Sequence, residues 1–122
     1  MDFSALSEQW MRAVCAHDVA RVVRTYARNG VLVGTVAQRI KVGRADIKLY
    51  FDRFLAKNGV RGRFDSHLIQ PYDGWGIHSG TYTFVWVEGG RSVVVPARYT
   101  FVWTDTPEGW RIANHHSSAL PE

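Results

Sequence analysis

Cysteine occurs once, at Cys15, so no internal disulfide can form. Its apolar helical neighbours, Val14 and Ala16, predict a buried structural thiol and not a nucleophile. Runs of basic residues are also missing. Arg39, Lys41, Arg44, Lys48, Arg61 and Arg63 are scattered, so the formal charge of +4 reads as a solvated surface that welcomes small anions, with no nucleic-acid footprint. No apolar stretch is long enough to span a membrane. The start, Met1-Asp2-Phe3-Ser4, has neither the basic residues nor the apolar run of a secretory signal, which predicts a cytoplasmic protein. Phosphate-cradling glycine loops and nucleophile-elbow serines are absent. His115 and His116 are adjacent and His17, His67 and His78 lack ligand spacing, so neither a metal nor a cofactor is expected.

Aromatic residues, by contrast, make up 13% of the 122 residues and include five tryptophans, a content suited to large core side chains or a lined cavity. The length predicts one domain spanning residues 1–122. Phe3, Leu6, Trp10, Ala13, Val14 and His17 recur at helical spacing, with Ser4 or Ser7 as candidate caps. Asp18 predicts the cap of a second helix carrying Val19, Val22, Val23 and Tyr26, closed by Asn29-Gly30. A short strand over Val31-Leu32-Val33 leads into a loop around Gly34-Thr35. The third helix, Gly43 to Asn58, buries the stripe Ile47, Tyr50, Phe51, Phe54 and Leu55.

Four β-rich runs follow: Phe64 to Gln70, Gly76 to Glu88, Ser92 to Thr104 and Trp110 to Ser118. Glu88-Gly89-Gly90-Arg91 and Thr106-Pro107-Glu108-Gly109 are hairpin turns between them. Helices first and an antiparallel meander afterwards is an α+β plan with the helices on one side of the sheet. Tyr82, Phe84 and Trp86 alternate with Thr81, Thr83 and Val85, and Tyr99, Phe101 and Trp103 with Thr100 and Val102. Both faces are therefore apolar, and a second subunit is the expected cover, giving a homodimer. In the last strand, strict alternation puts Trp110, Ile112, Asn114, His116 and Ser118 on one face, and Arg111, Ala113, His115 and Ser117 on the other. The first set runs from apolar to polar, as a strand does on leaving a core for a wet pocket.

Ala97-Arg98-Tyr99-Thr100-Phe101-Val102-Trp103, Gly109-Trp110-Arg111-Ile112 and the closing His115-His116-Ser117-Ser118-Ala119-Leu120-Pro121-Glu122 resemble the bacterial relatives of the calcium/calmodulin-dependent kinase II association domain. Within these they are most similar to the iota-class carbonic anhydrases. Leu32-Val33-Gly34-Thr35, Tyr50 to Leu55 and Ser79 to Phe84 extend the resemblance over nearly the whole chain. It implies the cone-shaped cystatin-like or nuclear-transport-factor-two-like fold, a dimer, and metal-free hydration of carbon dioxide to bicarbonate. The pocket residues it implies are Thr35, Tyr50, His116 and Ser118. The chain departs from many iota-class sequences in lacking a targeting signal and in carrying Leu120 where methionine is common.

Hydration needs a nucleophilic water, a group to take its proton, and donors for the oxygens that gain charge. His116 suits the base because imidazole titrates near neutral pH. Ser118, two residues on, shares its face and can donate to a bicarbonate oxygen; Tyr50 and Thr35 complete the ring. The alternative is a non-catalytic oligomerisation or ligand-binding module of the same fold. A polyketide-type cyclase or isomerase would want an acidic residue in the pocket, and no Asp or Glu falls on the inward faces.

Overall fold

A computed structural model describes residues 1–121. Helix α1 (Phe3–Cys15) starts at Asp2, whose carboxylate accepts the Ala5 amide at 3.0 Å, so neither Ser4 nor Ser7 is the cap. Ser4 instead donates to Asp2, and Ser7 points into the core. The helix stops before His17, which takes left-handed geometry (φ 56°). Cys15 is exposed, correcting the expected buried thiol: Met11 and Val14 take the inward face, while the Cys15 Sγ meets the Gly62 backbone at the start of the sheet. Helix α2 (Val19–Arg24) is capped by Asp18, as its side chain predicts.

Tyr26 does not extend α2. It opens strand β1 (Tyr26–Val33), which also absorbs Asn29-Gly30. After the two-residue β2 (Lys41–Val42), helix α3 (Arg44–Phe54) buries Ile47, Tyr50, Phe51 and Phe54, the stripe its spacing predicts. Arg44 fastens α3 to β1 by donating Nε–H to the Tyr26 carbonyl at 2.9 Å. The long strands β3 (Asn58–Tyr72), β4 (Trp75–Glu88), β5 (Arg91–Thr106) and β6 (Gly109–Ala119) form the meander. At the Glu88–Arg91 hairpin Gly89 and Gly90 have φ of 55° and 76°, the pair of positive values that a tight turn of matching twist requires.

The sheet order is β2-β1-β6-β5-β4-β3, and β1 runs parallel to β6, so the sheet is mixed and not purely antiparallel. Register shifts leave Asp65 of β3 and Ala113 of β6 without a partner opposite. Such bulges bend a strand and increase its twist. The sheet thus curls around the helices. Trp10 of α1, 1% exposed, fills the centre, with its ring against Phe51, Tyr82, Phe84, Phe101 and His115. Among the described residues no helix is long and apolar enough to cross a membrane.

Candidate active site

Between α1, α3, the β1–β2 connection and the concave faces of β4, β5 and β6 lies a narrow cavity. Its walls are mostly aromatic: Trp10, Phe51, Phe54, Phe84 and Trp86. The polar side chains reaching it are those of Thr35, Tyr50, Tyr82, His115 and Ser117. Its free volume is about 20 Å³. A water needs roughly 10–15 Å³, so the space suits a molecule of that size and little more. Among the described residues no carboxylate lines it.

Thr35 and Tyr50 are where the sequence puts them, but His116 and Ser118 are not. His115 is 2% exposed and Ser117 6%, whereas His116 is exposed and Ser118 half-exposed on the opposite face. The cause is the bulge. Ile112 opposes Trp103 and Asn114 opposes Val102, so Ala113 is an extra residue between them. Upstream the expected phase holds and Ile112 is buried. Downstream every side chain has changed face.

His115 sits at the middle of a hydrogen-bonded chain whose direction follows from Tyr82, which donates to Ser117 Oγ and so accepts from His115 Nε2. Trp10 Nε1 can only donate, and it does so to the Tyr26 hydroxyl at 3.1 Å. The Tyr26 proton then goes to His115 Nδ1 at 2.8 Å. His115 therefore carries its own proton on Nε2, where it meets the Tyr82 hydroxyl at 3.2 Å. Tyr82 donates to Ser117 Oγ at 2.6 Å, and Ser117 lies 2.5 Å from Thr35 Oγ1. Either hydroxyl of the Thr35–Ser117 pair can donate to the other, and when Ser117 donates the Thr35 proton is free for the cavity.

Burial keeps these groups neutral. It pushes the His115 imidazole down to about 3, with neighbouring His116 adding to the effect. The Tyr26 and Tyr82 phenols are driven well up by the same cause. Tyr50 is raised to about 12 by burial, against the opposing pull of the Val36 and Thr35 amides. Tyr50 is held in place by Gly34: a Cβ there would overlap its ring, so only glycine lets the chain leaving β1 pass this closely. Tyr26 and Trp10 belong to the site although the sequence reading assigned them to helix faces. Tyr82 was legible as one of an alternating aromatic set, but neither its inward face nor its polar role was.

A second chain starts at Trp103 and runs away from the cavity. Trp103 Nε1 donates to Ser7 Oγ at 2.9 Å, and Ser7 lies 2.7 Å from His78 Nδ1. His78 Nε2 faces His67 Nδ1 at 2.8 Å. His78 is fully buried, and burial lowers it to about 4. Among the described residues no group of three or more His, Cys, Asp or Glu side chains converges in a way that could hold a metal.

A curved sheet wrapped around helices, with a cavity under the first and third, defines the cystatin-like and nuclear-transport-factor-two-like class. A nuclear transport factor 2-like protein from Salmonella enterica superposes with a TM-score of 0.87 at 15% identity, over 99% of this chain and 90% of that one. A ketosteroid isomerase-like protein from Erwinia carotovora atroseptica gives 0.79 at 17% identity, over 98% and 94%. Within the class, this chain belongs to the calcium/calmodulin-dependent protein kinase II association domain family, whose pattern matches residues 1–121. A structure from Xanthomonas campestris assigned to that association domain shares 35% identity and a TM-score of 0.91, over 99% of this chain and 87% of that one. A search of curated proteins finds no match.

Proposed function

We propose that the protein is a metal-independent carbonic anhydrase, hydrating carbon dioxide to bicarbonate in the cavity between α1 and α3. The observation that carries this is the match between a space of about 20 Å³ and a hydroxyl pair, Thr35 and Ser117, held 2.5 Å apart inside it. The likeness of the closing His-His-Ser-Ser segment to iota-class enzymes points the same way.

The directed chain supplies a proton path. Ser117 Oγ already accepts from Tyr82 and keeps one lone pair for a cavity water. As that water's oxygen bonds to the carbon of carbon dioxide, its proton passes to Ser117 Oγ. The Ser117 proton moves to Thr35 Oγ1, and the Thr35 proton to one carbon dioxide oxygen. Tyr50, protonated at every physiological pH, donates to the other oxygen. The product is carbonic acid, which ionises to bicarbonate on reaching bulk water. His115 does not titrate in this scheme. It donates to Tyr82, fixes the chain's direction and remains neutral, because its pKa of about 3 makes it a poor base near neutrality. A carboxylate base of the isomerase type has no counterpart among the described residues of the cavity lining.

Stopped-flow hydration assays test this. Ser117→Ala is expected to lower the rate about 10²-fold, the scale on which one positioned donor is felt. The rate should stay flat between pH about 6 and 8, where an unperturbed imidazole would titrate. Wild-type protein that does not accelerate hydration would refute the proposal.

The same chain is expected to pair with a second copy through the convex face of the sheet. Val31, Val33, Ile77, Thr100 and Val102 form its centre, Leu68 and Val94 are more than half exposed toward its margins, and no helix covers it. Family membership supports this association role, which stands with or without catalysis. His116 and Ser118 lie on this face.

A further inference from the structure

Outside the cavity, on the other side of Val36 and Tyr50, lies a groove of about 490 Å³ that hydration of carbon dioxide does not use. Its size falls within the ~300–1,000 Å³ typical of small-molecule sites. Arg39, Lys41 and Arg53 line it together with Gln38, and Ala37 and Leu49 add an apolar wall. Asp46 neutralises Arg39 through a two-pronged pair at 2.8 and 3.1 Å. Lys41 and Arg53 have no salt-bridge partner among the described residues. Leu49 is 57% exposed beside them.

Two cations without a salt bridge, from different elements and lining one groove with an apolar wall, are the complement of an organic anion. We propose that this groove binds a small carboxylate, its charge on Lys41 and Arg53 and its carbon body against Ala37 and Leu49. Arg53 offers the fork geometry that pairs with a carboxylate through two hydrogen bonds, and Lys41 adds a point charge. Bicarbonate would leave most of the groove empty, so the favoured ligand carries an apolar group of ring size. Because Val36 and Tyr50 wall both spaces, a bound carboxylate lies over the cavity's outer wall. The inference stands apart from catalysis and is read by binding alone.

Benzoate is the probe, with uncharged benzamide as its isosteric control, titrated at constant ionic strength into ¹⁵N-labelled protein. Benzoate should shift the backbone amides of Ala37 to Lys41 and Leu49 to Arg53, and benzamide should not. The double variant Lys41→Gln, Arg53→Gln, which alters surface side chains only, should weaken benzoate about tenfold or more, the loss expected for charge-assisted bonds. Equal shifts with benzamide would overturn the proposal. So would shifts confined to other residues, unchanged binding by the double variant, or no binding at millimolar benzoate. Failure of the hydration assay with benzoate binding intact would remove the enzyme and leave this site.

Discussion

At the scale of single residues, His115 and His78 carry the clearest physical consequence. Each is a buried neutral imidazole whose folded pKa, about 3 and about 4, lies below the ~6.5 of an exposed histidine. Between those limits the unfolded chain binds more protons than the folded one, so stability rises with pH through this window. The contribution is complete above pH ~6.5 and is lost as acid takes the protein toward pH 4 and 3. Denaturant midpoints measured from pH 7 down to 4 should fall steadily in the wild type. His115→Gln, which keeps a polar group of similar size without titrating, should give a shallower fall. An identical slope in the variant would mean that His115 is solvated or already charged in the folded protein. His116→Gln removes only the second, smaller cause of the His115 depression, so it should make the fall slightly shallower, and far less so than His115→Gln. This contrast also separates the two strand phases, because alternation without the bulge would make His116 the sensitive residue.

At the scale of elements, legibility depended on how local the determining forces are. The apolar stripe of α3, the Asp18 cap and the double-glycine hairpin are fixed by neighbours within a turn or two, and the sequence shows them directly. The long strands were recognisable, though β3 and β5 extend several residues beyond their aromatic centres because pairing with β4 continues past them. Two features were set from a distance. Tyr26 fits a helical stripe, yet the parallel pairing of β1 with β6 claims it for the sheet. Ala113 is an ordinary small residue, and its bulge reflects the bend that β6 makes between β1 and β5. One unrecognised extra residue therefore moved two of the expected pocket residues to the wrong face and left Thr35 and Tyr50 untouched. The β1–β2 connection offers its own test. Gly34→Ala would drive a methyl into the Tyr50 ring, and overpacking of this kind costs about 1–3 kcal/mol. Chemical denaturation should show that loss, and the proposed carbon dioxide hydration should fall as Tyr50 is displaced. A fully stable, fully active Gly34→Ala would show that Tyr50 has room to move and that the cavity wall is soft.

At the scale of the whole molecule, the two faces of the sheet divide the work. The concave face meets the helices and closes around Trp10 and His115, so its apolar surface is already used. The convex face has no such cover. Across it Asn114, Val102, Ile77 and Gln70 lie side by side in successive strands, and Val85 pairs with Val94 toward the far end of the same face. Threonines and valines in this arrangement are the mix of an interface core with a hydrogen-bonding fringe, and a contiguous patch of this kind on a monomer would favour self-association. A two-fold dimer brings the same patch together twice, so each substitution acts at two places. Light scattering should return twice the 13.9 kDa chain mass at micromolar concentration. Val102→Lys combined with Val94→Lys would set like charges within that patch, and should shift the species to the monomer while leaving the thermal transition cooperative. A wild type that runs as a monomer, or a doubly substituted chain that remains dimeric, would place the contact elsewhere. Carbon dioxide hydration by the substituted monomer then tests whether the proposed site needs its partner: the cavity lies on the concave side of the sheet, opposite this patch, so the activity per chain should persist.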